Sequence, residues 1–107
     1  MLIDTIYEKL HEQRLCKNAY DFSVRFLGKS KSYYSVLKTR NDIPSIETIA
    51  TLEIALKNIS SAYNNSKVPF FSKTHDTLLE LSNDVGNYRI QRSNEILNNS
   101  TNSLFSS

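Results

Sequence analysis

The sequence predicts an all-α fold, a small bundle of about five helices, and three observations predict it. Apolar residues recur at three- and four-residue spacing in several separate stretches, the period of an amphipathic helix. Helix start and stop signals punctuate those stretches: Gly28, Ser30, the Pro44-Ser45 pair and Asp76. With 107 residues, 39% of them hydrophobic, the chain has material for one core and hardly for two.

In order, residues 2–14 predict a first helix, with Ile3, Ile6, Tyr7 and Leu10 on one stripe and Asp4, Glu8, Lys9 and Glu12 away from it. Its start is expected at a Thr5/Glu8 capping box or at Asp4 alone. A connector over 15–18 leads to a second helix begun by Asn18 or a neighbour. Ala19, Phe22, Phe26 and Leu27 turn inward there, and Asp21 sits in the first turn, where a negative charge complements the helix dipole. Gly28 stops that helix by accepting positive φ without steric cost. Ser30 is expected to cap the next one, over 30–39, leaving a connection of only about three residues that forces a steep crossing. In it Tyr34 and Leu37 point inward, while Lys31, Ser32, Ser35 and Lys38 fall on the other face.

A fresh start follows at Pro44-Ser45, with Ser45 as N-cap and Ile46, Ile49, Leu52, Leu56 and Ile59 as the apolar stripe. Residues 60–76 read as irregular because of Pro69 and the Asn-Asn-Ser cluster, yet Val68, Phe70 and Phe71 are too apolar for a free linker and are expected to dock on the core rather than on a partner. Helical spacing returns over 77–97, capped by Asp76, with Leu78, Leu81, Val85 and Tyr88 as a seam in which Gly86 costs roughly 1 kcal/mol relative to Ala. The seam could pair with a twin to form a homodimer, or pack against its own chain's core. Residues 98–107 read as a disordered tail. The expected organisation is therefore a unit over 1–60, a connector over 61–76, a C-terminal helix over 77–97 and the tail.

The run Leu27-Gly28-x-Ser30-x-x-x-Tyr34-Ser35-x-Leu37, with Pro44-Ser45-x-Glu47-Thr48-Ile49 and a closing Leu52-x-x-x-Leu56, resembles the phage-repressor-like helix-turn-helix domains of the XRE type. The resemblance covers about a third of the chain. It differs from the family's pattern at Tyr20, where a Gln is usual, at Arg40, where a Gly follows the second helix, and at Val24, in the place of a small Ala beneath the turn. It implies a lambda-repressor-like arrangement and a sequence-specific, double-stranded DNA-binding transcriptional regulator of bacterial or phage type, with helix 30–39 in the major groove. Carried over by position, Lys31 and Ser32 would contact bases, with Tyr33 and Ser35 beside them. Tyr33 reads equally well as an aromatic half-buried against the first helix. Lys17 and Asn18 would meet phosphate at the start of the first helix of the motif, and Lys29, Lys38 and Arg40, at a helix edge or in flanking loops, suit phosphate rather than bases.

Charge agrees with that expectation. From 14 to 40, seven basic residues (Arg14, Lys17, Arg25, Lys29, Lys31, Lys38, Arg40) face one acid, Asp21, a balance of +6, whereas elsewhere six bases face ten acids, a balance of −4. A basic segment coinciding with such a motif is the footprint of a protein that neutralises phosphates. An isolated charge run would more simply solvate a helix face.

Other chemistry is not expected. His11 and His75 lie apart from each other and from carboxylates or cysteines at ligand spacing, so no metal is anticipated. Two glycines cannot build a phosphate-cradling loop, and the acids Asp4, Glu8, Glu12, Glu47, Glu53 and Glu80 are scattered, so neither a cofactor nor an enzyme is expected. The lone Cys16 permits no internal disulfide. With no apolar run near about 18 residues and no signal-like start, a cytoplasmic location fits. The second functional expectation is a protein-interaction module, an antitoxin or adaptor, that shares the shape but holds a partner through Val68, Phe70, Phe71 and the last helix.

Overall fold

A computed structural model describes residues 2–63 and 69–105, with side chains over 2–63 and 73–99. The described residues form an all-α molecule of five helices: α1 (Leu2–Glu12), α2 (Ala19–Asp21, running on as a π-helical segment, Phe22–Phe26), α3 (Tyr33–Arg40), α4 (Ile46–Ala62) and α5 (Pro69–Phe105). None of these helices is long and apolar enough to cross a membrane.

Side chains that can reach a free backbone donor begin two of them. The Asn18 side chain accepts from the Asp21 amide at 2.9 Å, and Ser45 accepts from the Thr48 amide. Helix α1 is already formed at Leu2, so Asp4 and Thr5 lie inside its first turns and neither caps it. Asp4 instead accepts a hydrogen bond from the Tyr34 hydroxyl, tying α1 to α3.

The ends of α1 and α3 share one device. At the end of α1 the Leu15 amide donates to the Leu10 carbonyl and the Arg14 amide to His11, with Arg14 left-handed at φ 60. At the end of α3 the Asp42 amide donates to Leu37 and the Asn41 amide to Lys38, with Asn41 at φ 54. Both are Schellman closures, which use carbonyls that the helix cannot satisfy itself. Asn41 thus supplies the left-handed turn residue that is missing at Arg40, since Asn tolerates this conformation better than most side chains.

The core joins Ile3, Ile6 and Leu10 of α1, Phe22, Phe26 and Leu27, Tyr34 and Leu37 of α3, Ile49, Leu52 and Leu56 of α4, and Leu78, Leu81 and Val85 of α5. At its centre the rings of Tyr7, Phe22 and Tyr34 meet pairwise, with centroids 4.9 to 5.3 Å apart.

Helices α4 and α5, joined by a short connection, pack as a hairpin. The α5 seam packs into its own chain's core, 0 to 2% exposed at Leu78, Leu81 and Val85, with Tyr88 half-buried beside them. Gly86 faces the Glu53 carboxylate, and a Cβ there would come within 3.2 Å of Glu53 Oε1. A larger residue would crowd the carboxylate, which accepts from Arg89 Nε at 2.7 Å and from Lys57 Nζ at 3.0 Å. These cations, Arg89 foremost, hold the Glu53 carboxyl below its ordinary range against the opposing effect of burial.

Two expectations about α5 are corrected. It starts at Pro69 rather than Thr77, because proline at the first helical position lacks only an amide that would be unbonded anyway. It also runs on to Phe105, through most of the stretch expected to be a disordered tail. Beyond Ser93, side chains 94–99 are exposed, Ile96 and Leu97 among them. The expected docking of Val68, Phe70 and Phe71 lies outside the described residues and side chains.

Candidate nucleic-acid interface

The surface expected to act is built outward from the π-helical segment. There the Leu27 amide reaches back five residues to the Phe22 carbonyl, which widens the turn and ends the helix at Gly28, φ 64. Gly28 packs close to α4, where a Cβ would meet Thr51 Cγ2 at 3.2 Å.

The expected role of Ser30 as cap of the next helix does not hold. Its carbonyl, not its side chain, is used, accepting from the Tyr33 amide at 3.1 Å. The helix starts at Tyr33 rather than at 30, and Ser32 in the N-cap position makes no side-chain cap bond. The capping acceptor comes from another helix. Ser23 Oγ, fully buried, accepts from the Tyr34 amide at 3.0 Å while donating to the Ala19 carbonyl at 2.8 Å. One hydroxyl therefore fixes where α3 begins relative to α2. The small residue beneath the turn is thus Ser23, whereas Val24 is 48% exposed.

With Tyr34 and Leu37 facing the core, the outer side of α3 presents Ser32, Ser35, Val36 and Thr39 at intervals of three and four, flanked by Lys31, Lys38 and Arg40. All seven are exposed. A shallow hollow lined by Ser35, Val36, Thr39 and Arg40 lies on this face. None of the three cations makes an ion pair among the described residues. Lys38 and Arg40 also occupy the last turn of α3, where cations complement the helix dipole.

The other expected contact residues are less uniform. Tyr33 is half-buried against the core, with the Lys29 ammonium 5.8 Å from its ring centroid, so it offers an edge rather than a free side chain. Lys17 and Asn18 are exposed at the start of α2, but the adjacent Asp21 carboxylate accepts from the Lys17 amide at 2.9 Å. Arg25 binds that carboxylate through Nε at 2.6 Å and holds its pKa down. Arg25 is thereby withdrawn from the basic segment, and its Nη2 also donates to the Leu15 carbonyl.

Sequence reasoning passed over Val36 and Thr39. The signal lies in the spacing, since the arc opposite Tyr34 and Leu37 falls on 32, 35, 36 and 39. Burial pushes the Cys16 thiol up to about 11, which leaves it a poor nucleophile. Among the described residues no group of three or more His, Cys, Asp or Glu side chains gathers.

No curated protein and no solved structure matches the chain. The family model of DUF6626, described as a family of unknown function, matches residues 3–99, and the chain belongs to that family.

Proposed function

We propose that this chain is a sequence-specific double-stranded DNA-binding transcriptional regulator of helix-turn-helix type, with α3 entering the major groove. The observation that carries this reading is the outer face of α3, where Ser32, Ser35 and Thr39 stand among three cations that no carboxylate of the described residues neutralises. Small polar side chains admit close approach to base edges, and the surrounding ammonium and guanidinium groups replace the counterions of phosphates. The mechanism is steric or recruiting and involves no bond chemistry. Lys31 and Ser32, in the turn before α3, reach bases together with Ser35. Lys29, Lys38 and Arg40 position the protein on the backbone, with Lys17 and Asn18 at the start of α2.

Selection from a random duplex pool, followed by affinity measurements across salt concentrations, tests this. Lys31→Ala should relax preference at one base position by about 1 to 3 kcal/mol. Lys38→Ala should weaken all duplexes alike and reduce the slope of log affinity against log salt by about 0.9. Unchanged binding by both variants on the selected site would remove α3 from the groove. A palindromic winner together with a doubled mass would assign two copies per site, and these would meet outside the filled Leu78 to Val85 seam.

A second reading, a protein-interaction module such as an antitoxin or adaptor, is favoured by one feature: Ile90, Ile96 and Leu97 of α5 are 46 to 63% exposed. A partner retained from nuclease-treated lysate, combined with no duplex shift at low salt, would select it over the first.

A further inference from the structure

Val36 is an apolar, β-branched side chain in the middle of the polar outer face of α3, 42% exposed and remote from the inward-facing Tyr34 and Leu37. It adds nothing to the core, and valine is a poorer helix former than alanine at an exposed site. Three residues on, Thr39 Oγ1 donates to the Ser35 carbonyl at 2.8 Å. That bond turns the hydroxyl back onto the helix and leaves the methyl group as the outward part of the side chain. The two residues share the shallow hollow between Ser35 and Arg40. The result is a small apolar patch bordered by Arg40, on a helix whose other exposed cations are Lys31 and Lys38.

A partner suited to this patch must present an isolated apolar group flanked by negative charge. In the major groove of duplex DNA that group is the 5-methyl of thymine, the one apolar group on a base edge, with phosphates on either side. We infer that Val36, with the Thr39 methyl, is a specificity-determining contact that recognises thymine by its 5-methyl group. The inference rests on the DNA-binding reading above and names the base that reading leaves open.

The test uses the full chain and the best duplex selected from a random pool, resynthesised with dU in place of dT one position at a time. One or two positions should lose about fourfold in affinity, the worth of one buried methyl group. Val36→Ala should bring that loss to within about twofold there while leaving the effect of every other substitution unchanged. Thr39→Ser, which keeps the hydroxyl and deletes only the methyl, should blunt it at the same or the adjacent position. Both side chains are exposed, so thermal melting no lower than that of the wild type is expected and separates a contact effect from a folding defect. A retained duplex indifferent to every dU substitution, or a Val36→Ala variant with undiminished sensitivity, overturns this inference alone. Failure to retain any duplex at low salt overturns the DNA-binding reading and takes this inference with it.

Discussion

Ser23 beneath α3 and Ser82 in the α4–α5 hairpin are buried alike, 0% and 2% exposed, and their hydroxyls fare oppositely. Ser23 bridges the Ala19 carbonyl and the Tyr34 amide, whereas Ser82 Oγ has no hydrogen-bond partner among the described residues. The difference runs through the two regions. From α2 to α3, polar groups set positions: Ser23 locates α3, Asn18 starts α2, Asp21 gathers Arg25 and the Lys17 amide. In the hairpin, contact between apolar side chains fills the seam, and a buried carboxylate crosses it, Glu53 of α4 accepting from Arg89 of α5 as well as from Lys57. Cations of the first region are left facing outward because nothing in the fold requires them inward.

The largest expected effect belongs to the hairpin. Leu81→Ala removes a side chain that is 2% exposed and should destabilise the chain by about 2 to 5 kcal/mol, through lost burial plus the cavity left behind. Because the seam is filled from within one chain, urea unfolding of the wild type should have a midpoint independent of protein concentration. A midpoint that rises with concentration would show that folding is linked to association of copies, and the hairpin could then no longer be read as self-sufficient.

Next comes the polar joint. Ser23→Ala leaves the buried Tyr34 amide without an acceptor, which should cost about 1 to 3 kcal/mol in the same measurement. It should also weaken duplex binding beyond what the stability loss explains, since α3 would no longer be fixed at its first turn. An unchanged midpoint would mean that water or Ser32 takes over the cap, and that α3 is positioned by packing as the hairpin is.

What the sequence revealed divides along the same line. Positions where residue identity dictates a conformation were legible: Gly28 at positive φ, Asn18 and Ser45 as caps, and the inward spacing of Phe22, Phe26, Tyr34 and Leu37. Features decided by tertiary contact were not. No local pattern marks the cap that Ser23 gives to Tyr34 across eleven residues or the widened turn at Phe22–Phe26. The Leu78 to Val85 seam looked the same whether its partner was a twin or its own α4. Pro69 reads in the sequence as a breaker, although proline both breaks a helix interior and opens a helix. At the candidate interface Lys31, Ser32 and Ser35 are legible as an exposed polar face; Val36 and Thr39 lie on the same arc opposite Tyr34 and Leu37, but that spacing marks them only as outward and says nothing of what an outward methyl group touches.

The smallest expected effect has the opposite sign from the other two. Ser82→Ala deletes a hydroxyl that was stripped of water on folding and gained no bond, so its removal returns the desolvation penalty. Alanine is also the better helix former at an interior position of α5. Against these stands the small loss of contact from one missing atom, and the balance should raise stability by about 1 kcal/mol, read as a higher urea midpoint with unchanged slope. Duplex affinity should not move, because α3 and its cap lie elsewhere. A fall in the midpoint would show that Ser82 is bonded in solution, and its hydroxyl would then serve the hairpin as that of Ser23 serves the α2–α3 joint.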